Sequence, residues 1–314
     1  MSLLRVEKAV VQFGGVTAVN EAEFTVEPGS ITGLIGPNGA GKTTCFNVIS
    51  GLQKPTRGRV HFDGHDVTSM TVDARARRGM GRTFQRLEAF GSLTVRENVL
   101  VALDIHRGLR SVFKRAEHDA DVLLDRVGIL SYADDRADSI PTGTARLLEL
   151  ARALACQPRL LLLDEPSSGL DESETDDFGD LLKSLAADGM AILMVEHDMD
   201  LVMSVCDEIH VLDFGHIIAT GTPAQIRADK RVQEAYLGQA DDDAVLVLDD
   251  ATTAPFGMVR STPRSTSIRP YAACRSITSR MGMLLIRPPP PRSSPGRPPG
   301  PCGSRGSPPG CRWR

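Results

Sequence analysis

The segment Gly36–Thr44 constrains the fold of this chain more than any other stretch. It reads Gly-Pro-Asn-Gly-Ala-Gly-Lys-Thr-Thr and fits the P-loop pattern, in which a glycine-rich turn aims backbone N–H groups at a phosphate. The apolar stretch 30–35 before it predicts a buried strand, and 44–50 after it predicts the first turns of a helix. Because the N-terminus of a helix carries partial positive charge, this unit predicts a nucleoside triphosphate site.

Each residue of the predicted loop has a place in such a site. The predicted nucleotide-binding residues are Gly36, Pro37, Asn38, Gly39, Ala40, Gly41, Lys42, Thr43 and Thr44. Lys42 is expected to reach the β- and γ-phosphates, and the Thr43 hydroxyl is expected to ligate Mg²⁺.

The remaining pattern predicts an α/β fold with a second, smaller sheet. Short apolar runs at 160–163 and 191–195 predict buried strands, and helical periodicity between such runs predicts a parallel sheet. Near the N-terminus, 4–12 and 22–26 predict strands, and Asp63-Gly64 predicts a hairpin turn, which together indicate a small antiparallel sheet.

Helical patterning from about 86 to 157 predicts an α-helical subdomain inserted into the α/β core. Thr94 and Glu97 have the spacing of a capping box, which predicts that a helix begins beside them. Two further helices are expected at 116–127 and 145–155.

The composition changes after residue 238, which divides the chain into a predicted domain at 1–238 and a tail at 239–314. The tail holds 13 of the 20 prolines and carries a net charge of +6, whereas residues 1–238 carry −10. Such a tail cannot bury enough apolar surface to fold, so we expect it to be disordered. It is either a Pro/Arg interaction segment or an extension without a role, and the composition favours the second.

The charge distribution and the cysteine spacing limit the partners and the cellular compartment that we expect for this protein. The acidic body is a poor platform for nucleic acid, so no nucleic-acid partner is expected. The six cysteines form no CxxC pair, which favours reduced thiols and a cytoplasmic protein. Neither a signal peptide nor an apolar run of bilayer length is expected.

Polar residues that follow predicted strands supply candidate catalytic groups. Asp164 follows the leucine run and would hold Mg²⁺, while Glu165 beside it could take a proton from an attacking water. Gln85 and His197 end two other predicted strands and could reach the same γ-phosphate, and Gln85 is a further candidate Mg²⁺ ligand. Carboxyl ends of parallel strands meet at one edge of a sheet, so these groups are expected to converge.

In these motifs the chain resembles the ATP-binding-cassette (ABC) ATPases over residues 4–238. Gly36–Thr43 resembles Walker A, residues 83–85 the Q-loop, and 160–165 Walker B followed by a catalytic glutamate. His197 resembles the switch histidine, and Phe13 stands where the family places an adenine-stacking aromatic. The D-loop would consist of Ser168, Gly169, Leu170 and Asp171.

The signature motif departs from the family's LSGGQ. Here it consists of Pro141, Thr142, Gly143 and Thr144 after an isoleucine. Proline supplies neither a hydroxyl nor an N–H, but Gly143 and the N–H groups after it could still face the γ-phosphate held by a second subunit. The resemblance therefore implies ATP and Mg²⁺ as cofactors and leaves the rate of hydrolysis open.

A closer resemblance is to the ATPase subunits of branched-chain amino-acid importers, the LivG type, carried by 160–171, 195–199 and 221–238. It implies a homo- or heterodimer on the inner face of the cell membrane, bound to transmembrane permease subunits. An extracytoplasmic substrate-binding protein would be an indirect partner, through the permease. Relatives in urea or amide uptake and in lipopolysaccharide export share much of the pattern. A nucleotide-gated module that hydrolyses weakly is the alternative from another class.

Overall fold

The computed structural model describes residues 2–83, 88–107 and 113–237. The strands are β1 (Leu4–Phe13), β2 (Val16–Val26), β3 (Ile31–Ile35), β4 (Arg57–Phe62), β5 (His65–Asp66), β6 (Met80–Arg82), β7 (Leu160–Asp164), β8 (Ala191–Val195), β9 (Glu208–Asp213) and β10 (His216–Gly221). The helices are α1 (Lys42–Ser50), α2 (Val72–Arg77), α3 (Val95–Arg107), α4 (Phe113–Arg126), α5 (Thr142–Ala155), α6 (Glu172–Ala187), α7 (Met199–Val205), α8 (Pro223–Ala228) and α9 (Lys230–Leu237). The tail lies outside the described residues, so its disorder stays a prediction.

The larger sheet has six strands in the order β10-β9-β3-β8-β7-β6. Pairing is parallel from β9 to β6, and β10 closes the edge as an antiparallel hairpin partner of β9. Strands β3, β7 and β8 are buried along their whole length, as strands covered on both faces must be. The predicted α/β class with a parallel sheet is confirmed.

The smaller sheet is antiparallel, in the order β2-β1-β4-β5. Its β4–β5 turn holds Asp63 and Gly64 with φ angles of 51° and 74°, a backbone shape that asparagine, aspartate and glycine tolerate best. The predicted antiparallel sheet near the N-terminus is thereby confirmed.

Two apolar clusters lie on opposite faces of the parallel sheet. Along β7, Leu161 and Leu163 join the cluster under the helices, whereas Leu160 and Leu162 join the one under the antiparallel sheet. This alternation follows from the two-residue period of a strand, and it makes β7 the shared wall of both cores.

The helical insertion between β6 and β7 contains α3, α4 and α5. The Thr94 hydroxyl accepts from the N–H of Glu97 at 3.1 Å, and the Glu97 carboxylate accepts from the N–H of Thr94 at 2.8 Å, so the predicted capping box is present. Helix α5 begins at Thr142, three residues before the predicted start at Ala145. Its N-cap is Pro141. The residues after Pro141 have low helix propensity, and for this reason the sequence did not predict the first turn.

Among the described residues, no helix combines the length and the apolar character needed to cross a bilayer.

Candidate functional site

The P-loop connects β3 to α1 in the predicted strand–loop–helix arrangement. Gly36, Gly39 and Gly41 have φ angles of 149°, 80° and 107°, a region that side chains with a Cβ rarely adopt. A Cβ on Gly36 would lie 1.9 Å from the carbonyl oxygen of Leu212, and one on Gly41 would lie 2.3 Å from that of Ala18. Glycine is therefore required at both positions by close backbone approach.

Lys42 folds back over the loop that precedes it. Its ammonium donates to the carbonyl oxygens of Gly36 at 2.6 Å and Pro37 at 3.0 Å, and the residue is 7% exposed. Burial lowers the pKa of Lys42, while the charges of Glu165 and Asp164 raise it. A cation on the glycine-rich loop and close to two carboxylates is suited to a polyphosphate that carries a divalent cation.

Asp164 ends β7 and is 5% exposed. Arg82, at the end of the neighbouring strand β6, donates to its Oδ2 at 3.0 Å. The Thr43 side chain is exposed at the start of α1. A carboxylate and a hydroxyl are the hard oxygen donors that Mg²⁺ prefers, so the residues present fit the ion that the sequence implies.

Glu165 and His197 meet across the ends of β7 and β8. The His197 Nε2 lies 2.9 Å from the Glu165 Oε1, and the Glu165 N–H donates to the carbonyl oxygen of Val195 at 2.9 Å. The φ angle of Glu165 is 49°, a strained value for a residue with a Cβ. The backbone of Glu165 is therefore held at the end of β7, and its carboxylate lies beside the imidazole.

Glu196 is a further polar residue of this edge, to which none of the sequence motifs assigns a role. It is 4% exposed, and its carboxylate accepts from the N–H of Ser167 at 2.7 Å and from its neighbour His197 at 3.0 Å. Burial raises the pKa of Glu196, and these backbone hydrogen bonds oppose the shift. Glu196 thus ties the loop after Glu165 to the loop that carries His197. The position of Glu196 directly after the apolar strand β8 is the sequence signal that could have identified it.

The signature segment packs against the D-loop of the same chain. The nearest atoms to a Cβ on Gly143 would be the Glu174 Oε2 at 2.9 Å and the Leu170 Cδ2 at 3.0 Å, and a Cβ on Gly169 would lie 3.0 Å from the Thr142 Cγ2. Both segments lead into helices, α5 directly and α6 through the capping box of Asp171 with Glu174.

A hydrogen bond from α5 completes this pairing. Arg146 on α5 donates to the carbonyl oxygen of Ser168 at 3.3 Å, so the helix is tied to the first residue of the D-loop. Gly143 and Thr144 are both buried, whereas Pro141 is exposed at the helix N-terminus. The predicted signature and D-loop residues therefore pack together as one unit.

The structure gathers one group of predicted site residues and leaves others apart. Those at the carboxyl edge of the parallel sheet are the P-loop residues, Asp164, Glu165 and His197. Phe13 ends β1 in the other sheet and is 52% exposed, which leaves its ring accessible. Gln85 lies outside the described residues.

Comparisons with known proteins agree with this geometry. A family model described as ABC transporter matches residues 19–168, and one described as Branched-chain amino acid ATP-binding cassette transporter matches residues 216–242. The LivG protein of Escherichia coli strain K12, a high-affinity branched-chain amino acid transport ATP-binding protein, is 41% identical over 251 residues, covering 76% of this chain and 98% of the relative. The lipopolysaccharide export ATP-binding protein LptB of Haemophilus influenzae is 35% identical over 239 residues, with the same coverage.

A solved structure is similar in fold as well as in sequence. It is an ATP-binding cassette of an ABC transporter in its ADP conformation, with a TM-score of 0.69, 30% identity and coverage of 76% of this chain and 100% of that one. The fold, the phosphate-binding loop and these relatives agree, and the chain belongs to the ABC ATPases, the ATP-binding proteins of ABC transporters.

Proposed function

We propose that this chain hydrolyses ATP to drive the import of branched-chain amino acids through separate permease subunits. The observation that carries the proposal is the convergence of Lys42, Asp164 and the Glu165–His197 pair at one edge of the parallel sheet. A cation for the phosphates, an oxygen ligand for a metal and a base for water are then present together.

In the proposed reaction, Lys42 and the loop amides stabilise charge on the phosphates as the γ-phosphoryl group leaves. The Glu165 carboxylate accepts a proton from the attacking water, and His197 holds that carboxylate and orients the γ-phosphate. Thr43, Asp164 and Gln85 would hold Mg²⁺, which neutralises developing charge on the phosphate oxygens when it is bound. The exposed ring of Phe13 would stack on the adenine.

A second ATPase subunit, identical or related, would complete each site. The first N–H groups of α5 have no partner within the helix, so Gly143 and Thr144 can offer them to a phosphate held by the other subunit. Because the D-loop residues 168–171 contact the signature segment, movement of one is expected to move the other. ATP would favour the closed pair, since both subunits contact it only there.

The permease would dock in a groove between the helical insertion and the core. The groove encloses about 340 Å³, and its apolar wall includes Phe90, Val101 and Ile105. Phe90 is 46% exposed and carries the guanidinium of Arg152 at 5.2 Å from its ring centre. An apolar trough rimmed by charge fits an amphipathic helix of a membrane partner. Leu93, three residues after Phe90, is half-buried and is not part of the groove wall.

The choice of substrate rests on the relatives. The branched-chain family model covers the β10–α9 region, and the importer relative is more similar than the exporter relative. The chain would therefore act at the cytoplasmic face of the membrane, with the amino acid selected by a separate extracytoplasmic binding protein. Lipopolysaccharide export and urea or amide uptake are the alternative transport roles.

Uptake of labelled leucine, isoleucine and valine in a strain that lacks the gene and any redundant system tests the proposal. The wild-type chain should restore uptake, and Lys42→Ala should not. A matched control is Lys183→Ala, which removes a lysine on the exposed face of α6 that pairs with Asp180 at 3.3 Å. If uptake is normal in the strain without the gene, branched-chain amino-acid import is excluded as the function, and the alternative transport roles remain.

ATP turnover of the purified chain separates an enzyme from a weakly hydrolysing module. Glu165→Gln should lower turnover by about 10²-fold or more and leave ATP affinity intact, because a general base contributes on that order. Turnover that Glu165→Gln leaves unchanged would exclude Glu165 as the base.

A further inference from the structure

Arg82 joins the P-loop helix to the carboxylate that ends β7. One terminal nitrogen of its guanidinium donates to Asp164 Oδ2 at 3.0 Å. The other donates to Asn47 Oδ1 at 2.8 Å and to Ser50 Oγ at 2.9 Å, both on α1. The guanidinium carbon also lies 5.7 Å from the ring centre of Phe46. Arg82 is therefore held between α1 and the end of β7.

The Arg82–Asp164 pair is nearly dry, with side-chain exposures of 9% and 6%. An arginine in a protein does not lose its proton, so Asp164 has a permanent cation on one of its oxygens. Charges are screened little at such a place, and removal of one partner leaves the other buried and uncompensated. Surface ion pairs of the same distance carry far less energy.

Asp164 is also the carboxylate that the proposed function assigns to Mg²⁺. Two cations then act on one buried carboxylate: the guanidinium of this chain and the metal that arrives with the nucleotide. They repel each other, and the hydrogen bond to Oδ2 uses electron density that a metal or its water would need. The geometry thus places a cation of the chain itself on one oxygen of the carboxylate that would hold the metal.

We propose that Arg82 is a positioning residue that serves as the internal counter-cation of Asp164 in the metal-free chain and so sets the Mg²⁺ concentration at which the nucleotide site fills. This inference rests on the proposed role of Asp164. Arg82 stabilises the metal-free site, keeps its carboxylate in a fixed rotamer through Asn47 and Ser50, and weakens the site for Mg²⁺.

The test uses the full-length chain with Arg82→Gln and Arg82→Lys. Thermal unfolding and binding of a fluorescent ATP analogue are each followed against Mg²⁺ concentration, with EDTA as the metal-free point. Arg82→Gln should lower the half-saturating Mg²⁺ concentration by about ten-fold, the effect of one nearby charge on a carboxylate. Its fall in unfolding temperature relative to wild type should be larger without Mg²⁺ than at saturating Mg²⁺. Arg82→Lys keeps a charge but cannot span both partners, so its shift should have the same sign and be smaller.

A matched control removes another arginine–aspartate pair. Arg159 donates to both carboxylate oxygens of Asp63 at 2.6 and 3.0 Å, at an exposed position away from the P-loop. Arg159→Gln should leave the half-saturating Mg²⁺ concentration at the wild-type value.

The outcomes separate this inference from the function on which it rests. If Arg82→Gln lowers the unfolding temperature equally at every Mg²⁺ concentration and leaves half-saturation unchanged, Arg82 is only structural and the inference is wrong. If Arg82→Gln does not fold, the half-saturating Mg²⁺ concentration of Arg82→Lys is the test: a lower value supports the inference, and the wild-type value refutes it. If Asp164→Asn binds the nucleotide with wild-type Mg²⁺ dependence, the metal assignment itself fails.

Discussion

Replacement of Gly36 by alanine tests whether close backbone approach shapes the P-loop. A Cβ there would lie 1.9 Å from the carbonyl oxygen of Leu212, and observed Cβ contacts essentially never fall below 3.0 Å. The atoms in contact are backbone, so a rotamer change cannot relieve the clash. The loop and the end of β9 must separate by about 1 Å in a close-packed interior.

Gly39 provides the matched control within the same loop. Its φ angle of 80° is also unfavourable for alanine, but nothing lies within 4 Å of the Cβ that would be added. Gly39→Ala should therefore cost only the backbone strain of about 1–2 kcal/mol. Gly36→Ala adds the displacement of Leu212 to a strain of about 1–3 kcal/mol, and we expect a total of about 3 kcal/mol or more.

Thermal unfolding measures the difference between the two variants. For a domain of this size about 1 kcal/mol corresponds to about 2–4 °C, so Gly36→Ala should unfold about 6 °C or more below wild type. Gly39→Ala should lie between them. ATP binding should weaken in Gly36→Ala even below its unfolding temperature, because the loop amides are displaced. Equal unfolding temperatures for the two variants would refute the argument from close approach.

Three further predictions follow from local features. Thr94→Ala removes the capping box of α3 and should cost about 1 kcal/mol by denaturant unfolding. An equal cost in a Glu97→Ala background would count against a reciprocal cap, because alanine, unlike glutamine, cannot accept the hydrogen bond from the N–H of residue 94. Burial raises the pKa of Cys45 to about 12 from its usual 9.0, so the native state keeps the thiol proton. The free energy of unfolding should therefore fall as pH rises from 9 towards 12, and it should fall less in Cys45→Ala. Alkylation of Cys45 in the native state at about pH 8 would contradict this prediction. Phe13→Ala should weaken ATP binding about ten-fold and leave the unfolding temperature within about 1 °C of wild type, as expected for a half-exposed stacking ring.

Much of the site could be predicted because its signals are local. Glycines, a lysine and a threonine at fixed spacing specify the P-loop, and a polar residue after an apolar run specifies a strand end. The order of strands in the larger sheet could not be predicted, because nothing beside β3 in the sequence says that β8 and β9 flank it.

The pair of Arg82 and Asp164 escaped prediction for a related reason. The two residues are 82 positions apart, and each has an adequate local explanation as a strand-end polar residue. Only the parallel pairing of β6 with β7 places them side by side. The same holds for Glu196, whose partners belong to loops that follow different strands.

The position of β3 in the sheet has a consequence for how the protein is made. Its neighbours in the sheet are β8 and β9, which begin at residues 191 and 208, whereas the P-loop follows β3 at residue 36. A ribosome therefore delivers the phosphate-binding segment long before the strands that hold it. Until the last fifth of the domain emerges, both edges of β3 lack a hydrogen-bonding partner strand, and the loop has no sheet to support it. Nascent chains stalled before residue 191 should therefore be prone to aggregation, and ATP should not prevent it because the loop cannot yet bind the nucleotide.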